Sequence, residues 1–208
     1  MSRYDAVDDY VHPGTTVLRN KADLQDQAAL DAFEADATAV RMLELLQQPI
    51  EDRFDFAHLC AIHRHLFQDV YAWAGEIRTV DISRDTSRFA NASRIEAYLG
   101  GVLAKLPAEN WLRGLQPEPF LARLAHYMGE INATHPFREG NGRTQRVFCA
   151  LLAEQAGYFI DFESVDQDQM YRVMIETFNG NDQPLQALLL NITAIIGVDE
   201  PGADGGLT

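Results

Sequence analysis

The chain has 208 residues, of which 47% are hydrophobic, with only two cysteines and a formal net charge of -14. That length predicts one domain, and that apolar content is enough for a packed core and excludes general disorder. A pI near 4.7 excludes a general affinity for phosphate backbones, so any anion site must be a local exception.

Cys60 and Cys149 each fall among apolar neighbours at helical spacing, and neither belongs to a CxxC pair. Both are expected as buried free thiols of a reducing compartment. The start, "MSRYDAVDDY", lacks an apolar signal-peptide core, and no run reaches membrane-spanning length, so a cytoplasmic location is expected.

Along the chain, residues 1–22 are expected as an N-terminal segment that turns around Pro13 and Gly14 and packs on the core. Asp23 is the expected cap of a first helix, whose apolar stripe runs through Leu30, Phe33, Ala37, Val40 and on to Leu46. Phe56, Leu59, Cys60, His63, Leu66, Phe67 and Val70 recur at three- and four-residue steps and predict a second. "IRTVDISRDTSRFANA", 77–92, alternates around a turn-like middle and predicts a β-hairpin. "SRIE", 93–96, is a capping-box pattern opening a third helix through Leu106. A fourth helix, marked by Leu121, Leu124, Ala125, Met128 and Ile131, should stop near His135, because Pro136 disfavours helical geometry in the residue before it. Asn141–Ala156 predicts a fifth with Gly157 as terminator, and two shorter helices span Gln167–Phe178 and Leu185–Ile196. The expected fold class is therefore all-α with one small hairpin, the globular part covering 23–196. The acidic, glycine-rich end 197–208 is expected as a disordered tail.

One stretch stands apart. "HPFREGNGRTQR", 135–146, puts a histidine, a carboxylate, two glycines and three arginines between two helices. A helix N-terminus presents unpaired N–H groups and partial positive charge, so the loop entering the fifth helix is suited to an anion. Gly140 and Gly142 allow backbone angles closed to other residues and let a ligand approach the main chain closely, and Asn141 between them tolerates left-handed geometry and offers an amide. Arg143 and Arg146, three apart, point toward one region and can each fork a phosphate, which suits a polyphosphate. Glu139 would be an odd neighbour for phosphates unless a hard cation such as Mg²⁺ stood between. His135 is the available general base. Each residue alone has an ordinary explanation; the combination is neither a Walker A nor a dinucleotide fingerprint. Among the other histidines, His63 lies on the apolar stripe and is expected in the core. His58 and His65 lie off it and are expected solvated, and His126 is expected outside the site. Tyr71 and Trp73 are expected to pack at the hairpin base.

These residues resemble a known family. "HPFREGNGRTQR" matches the Fic signature HPFx[D/E]GNGRxxR at every defined position. "IHRHLFQDVYAWAGEIRTV", 62–80, and "HPGTTVLRNK", 12–21, are similar to upstream segments of short, toxin-like bacterial Fic proteins. The resemblance implies a helical Fic domain that transfers AMP from ATP onto a Ser, Thr or Tyr hydroxyl of a target protein. His135 would be the base, and Glu139 would bind Mg²⁺ between the α- and β-phosphates. Gly140, Asn141 and Gly142 would hold phosphates, with Arg143 and Arg146 on the β- and γ-phosphates and Phe137 anchoring the loop. The hairpin 77–92 would be a flap that registers the target segment. In the phosphorylating branch a lysine replaces the second glycine; Gly142 here favours AMP transfer.

Many Fic proteins carry an inhibitory helix of pattern [ST]xxxE[GN] that acts on the second motif arginine, here Arg146. No Ser or Thr of this chain has a glutamate four residues on. The resemblance therefore implies either an unregulated enzyme or control by a separate small antitoxin, with gyrase B or topoisomerase IV-type proteins as targets by family analogy. Two alternatives stay open at this point: a non-catalytic nucleotide- and partner-binding module, and transfer from another nucleotide donor.

Overall fold

The computed structural model describes residues 8–48, 50–51, 53–84 and 87–196; the expected tail lies outside the described residues. The helices are α1 (Gln27–Gln47), α2 (Phe56–Phe67), α3 (Ile95–Leu103), α4 (Pro117–Thr134), α5 (Asn141–Gln155), α6 (Gln167–Phe178) and α7 (Gln183–Ile192). β1 (Ser83–Arg84) pairs antiparallel with β2 (Ser87–Arg88), and β3 (Tyr158–Ile160) pairs antiparallel with β4 (Thr193–Ile195). The fold is all-α with these two small ladders, and none of its described helices is long and apolar enough to cross a membrane.

Caps decide where the helices begin. Asp26, not Asp23, starts α1: its carboxylate accepts the Ala29 N–H, while Asp23 sits three residues upstream in a left-handed turn at φ 54°. Asp55 caps α2 through the His58 N–H, and Asp166 caps α6 through two N–H groups. The capping box at 93–96 does not form. Asn91 accepts the Ser93 N–H instead and opens a single 3₁₀ turn (Ala92–Arg94) ahead of α3, which ends at Leu103 rather than running through Leu106. The last predicted helix also stops short, at Ile192, because residues 193–195 leave it to pair with β3.

α4 runs through the middle, packed against α3, α5, α6 and α7, while α2 packs against α1, α3 and α5. Leu59, Ile62, Leu66, Phe67, Leu124, Phe148 and Leu152 are fully buried. Each such side chain stabilises the fold by about 1.5–3 kcal/mol. Val17 and Leu18 of the N-terminal segment join this core. The α1 stripe is narrower than predicted, for Val40 is 57% exposed. His58 corrects another expectation. It is 2% exposed, not solvated, because α2 is covered on more than one side and His58 packs between Phe54 and Phe148. Both cysteines are free; burial pushes the Cys149 thiol up to about 12 and the half-buried Cys60 thiol up to about 11.

The hairpin is tied to the helices by one buried cation. Arg78, 1% exposed, donates from Nε to the carbonyl of His135 and from Nη1 to that of Val80. Its Nη2 reaches the carbonyls of Ala90 and Thr134, and its own N–H bonds Pro136 O at 3.0 Å. The C-terminus of α4 ends in unpaired carbonyls and partial negative charge, and a planar fork of N–H donors satisfies both. Arg78→Met keeps the apolar stem and removes the donors, so it should lower the unfolding free energy by at least about 3 kcal/mol in urea denaturation; a loss under about 1 kcal/mol would contradict this account.

Candidate active site

The loop 135–140 leaves α4 through His135, which adopts left-handed geometry (φ 44°, ψ 65°) and closes the helix with an N–H bond to Ile131 O. Its Nδ1 lies 2.9 Å from Asn132 O. A carbonyl can only accept, so Nδ1 carries the proton and Nε2 presents a lone pair. Burial is the main cause that pushes the His135 pKa down to about 4; Arg78 and Arg84 add to it, and the Asn132 carbonyl opposes it. The imidazole is therefore neutral at ordinary pH, the form that can take a proton.

Phe137 anchors the loop. Its ring is 1% exposed and stacks on His63, centroids 3.9 Å apart and 13° from parallel. His63 is a core residue as predicted, and both its nitrogens are engaged. The Gly75 N–H donates to Nδ1 (2.8 Å) and Nε2–H donates to Glu139 O (3.0 Å), while burial lowers its pKa to about 4. This ring joins the "WAGE" segment to the signature loop across the core.

Gly140 caps α5 at φ 79°, and a Cβ there would lie 2.3 Å from Cζ of Phe67, so no side chain fits. Gly142 differs from the prediction: it is helical, and what glycine supplies there is room for Arg146, whose Nη1 would lie 3.4 Å from a Cβ, not a special angle. Asn141 also differs. It is the first helical residue rather than a left-handed one, and its buried amide clamps the loop, accepting from Phe137 N–H and donating to Phe137 O. What Asn141 can offer a ligand is its backbone N–H.

The arginines face different surroundings. Arg143 pairs through Nη2 with Glu34 of α1, donates from Nη1 to Thr38 Oγ1 (3.3 Å), and lies over the Phe67 ring at 4.7 Å. Glu34 is itself 9% exposed and accepts from Tyr71 Oη. Arg146 is half-buried and makes no hydrogen bond or ion pair among the described residues; burial and Arg143 disfavour its charge, and Glu163 favours it. The third arginine of the motif, Arg138, turns away to Asp8 at 2.7 Å. Glu139 is exposed; one carboxylate oxygen accepts the Gly140 N–H, and the other has no hydrogen bond among the described residues.

His135, Glu139, Gly140, Gly142, Arg143 and Arg146 line one cleft of about 920 Å³. Its far wall comes from the hairpin, with Arg84 and Phe89, and from α6, with Met170, Tyr171 and Met174. Arg84 lies 4.4 Å from the Tyr171 ring centroid, bringing the hairpin over the cleft. His126 lies outside, 4.0 Å from Glu130, and Tyr71 and Trp73 stack on each other at 4.3 Å, with Trp73 also beside the His63 ring. Sequence reasoning missed Glu34, Arg78 and Phe89. The periodic signal of α1 marks a buried turn around Glu34 but cannot say that the carboxylate meets Arg143. Neither Arg78 nor Phe89 belongs to a pattern with a partner in view.

Comparison with known proteins agrees with this geometry. A model of the Fic/DOC family matches residues 53–153. The protein adenylyltransferase VbhT of Bartonella schoenbuchensis is 44% identical over 91% of this chain, which spans 40% of that longer protein. A probable protein adenylyltransferase of Sinorhizobium fredii, y4lH, is 42% identical over 90% of this chain and 97% of its own length. The structure of the effector BepC of Bartonella tribocorum with bound AMPPNP superposes with a TM-score of 0.85 at 29% identity, over 89% of this chain and 96% of that one. The loop, the helices around it and a relative matched along nearly its full length converge, and the chain belongs to the Fic/DOC family.

Proposed function

We propose that this chain is a protein adenylyltransferase that moves AMP from ATP to a Ser, Thr or Tyr hydroxyl of a target protein. The observation that carries the reading is His135: a neutral imidazole whose Nε2 lone pair lines the same cleft as the N-terminus of α5 and two arginines. The names of the relatives and the AMPPNP held by BepC support it.

The reaction balances with the residues present. The target oxygen bonds the α-phosphorus, the bond from that phosphorus to the oxygen bridging to the β-phosphate breaks, and pyrophosphate leaves. The hydroxyl proton passes to Nε2 of His135. Negative charge grows on the leaving group, where the α5 N–H groups, Arg143 and Arg146 oppose it. Magnesium fits Glu139, the carboxylate that the signature loop brings to the cleft. Glu139 is exposed at the cleft with a free oxygen, the setting of an ion held by one side chain and completed by phosphate oxygens and water. Such an ion would supply charge neutralisation between the phosphates. The hairpin beside His135 would present the target segment by strand-like pairing.

Regulation follows from the asymmetry of the arginines. Glu34 already occupies Arg143, whereas Arg146 makes no close ion pair among the described residues, Glu163 acting on it only from beyond ion-pair distance, and the chain contains no [ST]xxxE sequence. We assign Arg146 as the contact of a separate small antitoxin carrying [ST]xxxE[GN], with the chain acting as a cytoplasmic toxin on gyrase B or topoisomerase IV-type targets.

Incubated in bacterial lysate with Mg²⁺ and α-labelled ATP, the chain should label a protein, and His135→Ala should reduce the label by about 10²–10⁴-fold. Transfer of γ-label in place of α-label would sink the proposal. Arg146→Ala should lower kcat/KM for ATP by roughly 10²–10³-fold while leaving the melting temperature near that of the unmodified chain. An unchanged kcat/KM would remove Arg146 from the leaving-group site.

A further inference from the structure

His135 is held by more than its own loop. Phe89, the first residue after β2, lays its ring flat on the imidazole, with centroids 3.8 Å apart and planes 15° from parallel. On α6, Phe178 meets Phe89 edge-on at 5.7 Å and 82°. The backbone at Phe89 is pinned from both sides: its N–H bonds Ile82 O, the Ala90 N–H bonds Ala133 O, and Arg78 bonds Ala90 O. The fixed backbone, with Phe178 against the ring, holds the Phe89 side chain beside His135.

A single hydrogen bond from Nδ1 to Asn132 O fixes one point of the imidazole but leaves its plane free to swing. A stacked ring fixes the plane. Together they aim Nε2 into the cleft and keep water from one face of the ring, and desolvation disfavours the charged form. We infer that Phe89 is a positioning residue for His135, through which the hairpin sets both the direction and the protonation of the base. The inference rests on His135 being the base. It adds that the hairpin, besides presenting a target, prepares the group that deprotonates it.

The charged groups around His135 do not give this result by themselves. Arg78 and Arg84 on the hairpin side disfavour a positive imidazole, and burial outweighs both. Arg143 and Arg146 of α5 line the same cleft, as do the carboxylates Glu139 of the loop and Asp168 of α6. Substituting Phe89 leaves all of these in place.

The test uses the full chain without nucleotide and reads the imidazole directly, by ¹H–¹⁵N correlation of the histidine side chains across a pH titration. In the unmodified chain His135 should be the Nδ1–H tautomer and titrate well below 6. In Phe89→Leu it should titrate about one pH unit or more higher, with mixed tautomers, while His63 keeps its shifts and so reports an intact core. Phe89→Tyr retains a flat ring and should titrate like the unmodified chain. It also decides the matter if Phe89→Leu loses the His63 signals: a His135 in Phe89→Tyr that titrates near 6.5 overturns the inference. So does a His135 in Phe89→Leu unchanged in tautomer and titration. None of these readings depends on AMP transfer, so they stand apart from the labelling experiment.

Discussion

One buried guanidinium holds the active half of this molecule together. Arg78 lies where the end of α4, the loop carrying His135 and both feet of the hairpin converge, and its donors reach carbonyls of all of them. Burying a cation this deeply is unfavourable unless every donor finds an acceptor. The acceptors here include the orphan carbonyls of a helix C-terminus, which also carry partial negative charge. The same contact therefore ends α4, bends the chain into the left-handed turn at His135 and anchors the hairpin beside it. The position of His135 relative to the hairpin is a property of that contact before it is a property of the signature loop.

A second constraint works from below. The stacked rings of His63 and Phe137, with Phe67 at 4.8 Å from His63, form an apolar floor under the loop. Phe67 rises so close to Gly140 that the α5 N-terminus can pass only without a side chain. The floor also supports Arg143 from one side, where the ring face attracts the guanidinium. The glycine, the aromatic residues and the arginine of the motif are thus one packing arrangement. Their close spacing in sequence reflects a helix end pressed against a core.

Much of this was legible in the sequence, and the failures share a cause. A helix with one clear apolar face, such as α6, can be read from period alone, because burial on one side imposes the period. α2 is packed against three neighbours, so its "off-stripe" His58 is buried as deeply as its stripe. The start of α3 depended on which of two nearby capping residues would win, and Asn91 and Ser93 are close equals in propensity. Strands of three residues, like β3 and β4, are too short to show alternation. In the site, the signature loop announced itself because its chemistry is local. Glu34, Arg78 and Phe89 could not be found this way, since each acts on a residue more than forty positions away through a contact that only the fold creates.

The two arginines of α5 show how the fold divides roles that the sequence presents alike. Arg143 is held in place by Glu34, Thr38 and Phe67, so little side-chain entropy remains to be lost when a ligand arrives, but part of its charge is already answered. Arg146 is half-buried with no such answer among the described residues, and its charge is disfavoured by burial. A desolvated, unpaired guanidinium attracts whatever anion can reach it, a phosphate oxygen or a glutamate carboxylate alike. In the proposed reaction the nucleotide and an inhibitory glutamate therefore compete for the same few ångströms. Thermodynamic linkage then requires each to weaken the other by the same factor. On the proposed reading, a residue that favours the leaving group is for that reason also a place where the reaction can be stopped.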